Sequence, residues 1–355
     1  MRDMKSVAHN IYIHVPFCMS KCNYCAFFSH ACASPDWKKY TNDICSEIMH
    51  WGDRLGHCDV PTVFFGGGTP SLMPVGTFDT IMRTIRKNFN LMPDAEITLE
   101  SNPGTLDAAR LSSFIDMGVN RLSIGVQSLD DKKLQFLGRR HSVRDALKLI
   151  ETALQKNIRV SGDFIYGLPH ETTDDVIRTC NQINTLGITH CSMYELTIES
   201  DTPFGKMNLE MPDNDTMAQM YIAIGDTLKL PRYEVSNYAT VGHECVHNQN
   251  IWDGMPYVGI GNGAAGRVYV DNQWYEQRGN NAQFEKISAD TRAVEILITS
   301  MRTVRGCELT DATKNAIDMD WVQQNPELIK IQDNRIVATK SGMLILDDIM
   351  INLIK

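Results

Sequence analysis

Three cysteines, Cys18, Cys22 and Cys25, lie within one short loop, Phe17-Cys18-Met19-Ser20-Lys21-Cys22-Asn23-Tyr24-Cys25-Ala26-Phe27. Their CxxxCxxC spacing comes directly after an apolar, strand-like run, Ile11-Tyr12-Ile13-His14-Val15. Thiolates this close can converge on one soft-metal site, as iron–sulfur clusters and structural zinc both require. The ligand count separates the two. Closed zinc wants four ligands, and the nearest further candidates, His14, His30 and Cys32, lack the paired spacing of zinc ribbons and knuckles. Three cysteines leave one iron of a four-iron cluster open to a further ligand.

Downstream, strand-like and helix-like segments alternate. Strands are expected at Ile11–Val15, Thr62–Phe65, Glu96–Glu100, Arg121–Gly125, Arg159–Ile165 and His190–Leu196. Helices are expected at Trp37–Trp51, Phe78–Phe89, Leu106–Met117, Val143–Gln155 and Asp174–Leu186. Such alternation is the pattern of a parallel sheet covered by helices. Six strands are spent by residue 196, whereas a closed eight-stranded barrel takes about 250 residues. The expected class is therefore α/β, an incomplete (β/α)6 barrel, with its chemistry at the C-terminal strand ends.

Those ends carry polar groups. The second strand runs into Phe65-Gly66-Gly67-Gly68-Thr69-Pro70, where glycines let a ligand approach the backbone. Glu100, Gln127 and Asp163 close the next three strands, and Arg139 comes after Leu137-Gly138.

The cysteine loop, with Tyr24 before its third cysteine, resembles the signature of the radical S-adenosylmethionine (SAM) superfamily. Tyr12-Ile13-His14-Val15-Pro16-Phe17-Cys18 through Cys25 resembles its coproporphyrinogen dehydrogenase (HemN-like) class. The resemblance implies a [4Fe-4S] cluster on Cys18, Cys22 and Cys25, with SAM chelating the open iron and cleaved there to a 5′-deoxyadenosyl radical. It implies that Gly67, Gly68 and Thr69 hold the SAM methionine amino group, that Arg139 binds its carboxylate, and that Gln127 and Asp163 bind its ribose. Glu100 serves the amino end, and Tyr12 joins the cofactor-binding set.

Beyond Leu196 the pattern thins. Asp213–Leu230 reads as a helix; Gly261, Gly263 and Gly266 spell GxGxxG, but no strong strand precedes them and no acidic residue stands at the dinucleotide-binding distance. Ile329–Val337 reads as a hairpin turning at Asp333-Asn334, and Met343–Ile354 as an amphipathic terminal helix. The expected division is a barrel over 1–240, a connecting segment over 241–285 and a helix-rich, winged-helix-like domain over 286–355.

Within the class, the resemblance runs to the HemW branch of haem chaperones. Phe27 stands where the dehydrogenases carry a further cysteine, and only 17 residues precede Cys18. The branch's HNxxYW segment is here His247-Asn248-Gln249-Asn250-Ile251-Trp252, which offers His247 as a haem ligand. Ile251 replaces the tyrosine, and Ala265 stands where the branch usually has histidine. The implied partners are haem or porphyrin as cargo, haem-accepting proteins, an electron donor and a homodimer mate; the alternative activity is oxidative decarboxylation of coproporphyrinogen III.

A net charge of −9 argues against nucleic acid as a partner. No run is long enough for a membrane span, and Met1–Asn10 has no apolar core of a secretory signal. Ten cysteines without framework spacing fit a reducing cytoplasm.

Overall fold

The computed structural model describes residues 7–278 and 283–355. The first six residues of the N-terminal stretch, and residues 279–282 of the expected connecting segment, lie outside the described residues.

Six strands form where the apolar runs stand: β1 (Asn10–Val15), β2 (Asp59–Gly67), β3 (Asn90–Ser101), β4 (Arg121–Gln127), β5 (Arg159–Tyr166) and β6 (His190–Glu195). All are parallel, each paired with the next in sequence. The antiparallel β7 (Asn237–Ala239) lines the far edge.

On the near edge, the segment expected to connect two domains supplies four further strands. These are β8 (Tyr257–Ile260), β9 (Ala265–Val270), β10 (Gln273–Arg278) and β11 (Gln283–Ile287). The sheet runs β11-β10-β9-β8-β1-β2-β3-β4-β5-β6-β7, so its curved, incomplete barrel has β1 near its middle. A strand does precede Gly261, which corrects the sequence expectation; β8 is only four residues long, and its burial comes from parallel pairing with β1. After the glycines the chain enters the antiparallel β9 instead of a helix, so no dinucleotide fingerprint is formed. Gly261 and Gly263 have φ of 100° and 90°, which this tight reversal needs.

Helices cover the sheet: α1 (Trp37–Leu55), α2 (Val75–Asn88), α3 (Ala108–Asp116), α4 (Asp131–Phe136), α5 (Val143–Gln155) and α6 (Thr173–Ile183), all but the short α4 expected from the sequence. Their ends are written locally. Asp36 caps α1, whose chain reverses at the left-handed Gly56, and Ser142 with Asp145, like Thr172 with Asp175, forms a capping box. Tyr40, Ile44, Ile48, Trp51 and Leu55 recur at helical spacing on α1 and bury against Ile11, Ile13 and Val15 of β1. Burying each such aliphatic side chain is worth roughly 1.5–3 kcal/mol. The pleat turns Asn10, Tyr12 and His14 the other way, into the barrel, beside Thr62, Phe64 and Gly66 of β2.

After α7 (Asn214–Thr227) and the short α8 (Val246–Trp252), α9 (Ala289–Met301) leads into the C-terminal part. There β12 (Cys307–Glu308), β13 (Ile329–Gln332) and β14 (Arg335–Ala338) form a small antiparallel sheet with its own hydrophobic cluster. Asp333 and Asn334 both have positive φ, as a two-residue hairpin with a primed turn requires. The terminal helices span Lys340–Leu344 and Leu346–Leu353.

Candidate functional site

The strand C-termini and the cysteine loop enclose a cavity of about 400 Å³. Cys18, Cys22, Cys25, Gly67, Gly68, Thr69, Glu100, Gln127, Arg139 and Asp163 all line it. Of the residues singled out in the sequence, Tyr12 and His247 are not in its lining.

The loop is pinned at several points. Gly68 N–H donates to Val15 O and Thr69 N–H to Phe17 O, each at 2.8 Å, stitching the glycine segment under Cys18. Asn23 holds the loop to the end of α4, its N–H donating to Leu137 O and its Nδ2 to Phe136 O. Lys21 Nζ donates to the Phe27 and Ser29 carbonyls, closing the loop on itself. A β-carbon on Gly68 would stand 2.9 Å from Cys18 Sγ, and one on Gly67 2.6 Å from the His14 ring, so neither position admits a larger residue unchanged.

All ten cysteines are free thiols. Among the described residues, no three His, Cys, Asp or Glu side chains already stand together as a metal site. The three loop cysteines nevertheless share one cavity wall, and burial raises the Cys25 thiol, with Cys22 and Cys18 adding to the rise and the Phe27 amide opposing it. The donor set fits an iron–sulfur cluster: three accessible sulfurs on a walled loop, with His14 occupied elsewhere. His14 Nε2 lies 2.8 Å from Phe28 O and its Nδ1 3.0 Å from the Tyr12 hydroxyl.

Opposite the sulfurs stand the charged groups. Glu100 accepts from Gly67 N–H at 3.1 Å, and burial, then the nearby Asp163, pushes its carboxyl up to about 8. Asp163 accepts from three hydroxyls, Ser123 at 2.8 Å, Ser192 at 2.9 Å and Ser161 at 3.2 Å. Burial raises this carboxyl too, while the serines oppose the rise. With about four acceptor positions on a carboxylate, one donor from a ligand can still be accommodated. Arg139 donates to Gly125 O at 2.8 Å, to Cys22 Sγ at 3.5 Å and to Asn102 Oδ1. Gln127 sits at φ 64°, where β4 is bulged against β5, and this turns its side chain to the rim.

Tyr12 lies one layer below the cavity, stacked on Phe64 and bonded to His14. His247 lies deeper still. Its ring packs on Phe64 with centroids 5.0 Å apart, its Nδ1 is 2.6 Å from Thr62 Oγ1, and burial pushes it down to about 4. Glu96, inside β3, accepts from Val246 and His247 N–H and so caps α8 from the barrel, itself paired with Arg159. Trp252 closes the same segment by accepting from Thr299 and Ser300 on α9.

The sequence did not single out Asn102, Ser123 or Tyr194, which also line the cavity. A usable signal was present: Asn102 stands two residues past Glu100, at the same strand end.

Comparison with known proteins places this geometry in a family. The family described as the radical SAM superfamily matches residues 12–183. A protein of Escherichia coli (strain K12) named "Heme chaperone HemW" is 37% identical over 268 residues, covering 73% of this chain and 70% of that protein. A Mycobacterium tuberculosis protein of the same name is 31% identical over 375 residues, covering 99% and 96% respectively. The structure of coproporphyrinogen III oxidase (HemN) from Escherichia coli superposes with a TM-score of 0.82 at 18% identity, covering 98% of this chain and 90% of that one, a likeness of fold. On the strength of these sequence matches, the chain belongs to the HemW/HemN-like family of the radical SAM superfamily.

Proposed function

We propose that this protein binds SAM and a [4Fe-4S] cluster in the strand-end cavity, and that it carries haem to acceptor proteins, as the names of its HemW relatives describe for them. The observation that carries the first part is the convergence of Cys18, Cys22 and Cys25 with Gly67, Glu100, Arg139 and Asp163 on one cavity. When bound, such a cluster supplies a low-potential electron to the SAM sulfonium.

The protein's own residues bind and orient. Gly67 and Gly68 let the methionine end approach the backbone, and Thr69 flanks it. Glu100, once ionised, pairs with the α-ammonium. Arg139 attracts the α-carboxylate. Asp163, its other positions filled by serines, accepts one ribose hydroxyl, and Gln127 serves the other. Tyr12 supports the floor through His14.

Two features support the haem reading. The identity to HemW proteins extends over nearly the whole chain, and Phe27, 70% exposed, with Phe28, 53% exposed, offers an apolar face beside the cavity. His247 would have to leave Thr62 and the Phe64 ring to reach a porphyrin iron.

The test is anaerobic reconstitution and then parallel incubation with haem, and with coproporphyrinogen III plus SAM and reductant. The expected result is a stable haem absorption band and transfer of haem to an apo-haemoprotein. Protoporphyrinogen IX formed over more than one turnover would instead identify a dehydrogenase.

A further inference from the structure

We infer that Asn102 is a positioning residue that aims one hydrogen-bond donor at each of two cluster cysteines, the Thr69 hydroxyl at Cys18 and the Arg139 guanidinium at Cys22. The inference rests on the reading of the cavity as a cluster site.

The directions of the protons are fixed one by one. Arg139 is a donor only, so the side-chain atom of Asn102 facing its Nη2 must be the oxygen. That fixes the amide, and Nδ2 then faces Thr69, donating to Oγ1 at 2.9 Å. With an acceptor position on Oγ1 taken, the Thr69 hydroxyl proton is free to point away from Asn102, and the sulfur of Cys18 lies 3.6 Å off. On the other side, the same contact with Asn102, joined by the Gly125 carbonyl, anchors Nη2 of Arg139 and leaves Nη1 on Cys22 Sγ at 3.5 Å. One amide thus sets two donors of different chemistry on two different sulfurs.

Gly125 provides a second, independent sign that the brace is built. A β-carbon there would stand 2.9 Å from Asn102 Oδ1, 2.9 Å from Gln127 Nε2 and 3.1 Å from Arg139 Nη2. The strand is bare at the one place where these three side chains meet.

Hydrogen bonds to cluster sulfurs draw electron density from the metal and raise its reduction potential. The two Asn102-directed donors therefore make the cluster easier to reduce.

The experiment is a spectroscopically monitored redox titration of anaerobically reconstituted full-length protein. Asn102→Leu removes both the donor and the acceptor at similar size. Thr69→Val removes the hydroxyl, and Thr69→Ser keeps it. Asn102→Asp still accepts from Arg139 but, ionised, cannot donate to Thr69.

The reduction equilibrium should shift roughly tenfold toward the oxidised cluster in Asn102→Leu, about 59 mV for one electron. Thr69→Val should shift it less; Asn102→Asp should shift it the same way, its added negative charge reinforcing the lost donor; and Thr69→Ser should match wild type. The double variant Asn102→Leu/Thr69→Val should titrate like Asn102→Leu alone, because Thr69 acts through the amide. A full cluster with an unchanged midpoint in both Asn102→Leu and Asn102→Asp would overturn the inference alone. Additive shifts in the double variant would also overturn it. Failure of the wild type to take up iron and sulfide on its three cysteines would sink the cluster reading, and this inference with it.

Discussion

His247 and Thr62 are locked together inside the barrel, Nδ1 to Oγ1 at 2.6 Å. The direction of that bond is set from Asn10, whose Nδ2 donates to Pro256 O, leaving Oδ1 to accept from Thr62 and from Asn250. Thr62 has spent its proton, so His247 donates from Nδ1.

Replacing His247 by alanine should cost about 2–4 kcal/mol of stability, the sum of a cavity beside Phe64 and a broken buried bond. Denaturant unfolding measures it. Because the ring is walled in, the haem band should survive in His247→Ala; its loss from a variant that is still folded and still holds its cluster would make His247 the iron ligand after all.

Glu100 should make SAM binding pH-dependent. Its carboxyl, raised to about 8, is mostly neutral at pH 7, and only the ionised form pairs with an ammonium. Affinity should therefore fall about tenfold per unit as pH drops below 8, measured by calorimetry between pH 6.5 and 8.5. Glu100→Gln should bind more weakly at pH 8.5 and show a flatter profile.

The same shift has a stability consequence of opposite sign. A carboxyl raised in the folded state contributes stability that is fully present below the unfolded value near 4.5 and is lost as pH rises toward 8. Thermal unfolding of the protein without ligands should show this decline in wild type and a shallower one in Glu100→Gln.

Arg139 lines the cavity and Arg140 is exposed outside it. Arg139→Ala should weaken SAM by roughly tenfold or more, since a charge-assisted hydrogen bond is worth about 1.5–3 kcal/mol. Arg140→Ala should leave the calorimetric affinity within about twofold, as expected for an exposed charge.

Gly263 lies directly against Phe28, and a β-carbon added to it would run into that ring. Gly263→Ala should destabilise the protein by about 1–3 kcal/mol, combining overpacking with the φ of 90°, and should lower iron uptake by disturbing the cysteine loop. Adding Phe28→Ala should restore only part of the stability, because it relieves the clash and leaves the backbone strain.

The six strands, the cysteine loop and the glycine segment of the cavity were legible because their signals are local. Buried parallel strands are written as short apolar runs; Glu100 and Gln127 sit where two of those runs stop, and Asp163 interrupts a third three residues before its end. The four strands of the β8–β11 edge were not legible. Their residues alternate with polar ones, and their order depends on pairing with β1, far away in sequence. Asn102 was missed for a related reason: its role is set by Thr69 and Arg139, neither of them a sequence neighbour. For His247 the motif indicated a residue type; its depth is decided by Glu96 capping α8 from 151 positions away.

The position of β1 also bears on how the chain leaves the ribosome. β1 is the first strand to emerge, yet β8, which covers one of its edges, begins only at Tyr257. At about 5–20 residues per second, that edge waits roughly 10–50 s for its partner. During this interval a nascent chain exposes an apolar strand next to three free thiols, and an unpaired strand edge is a template for pairing with other chains.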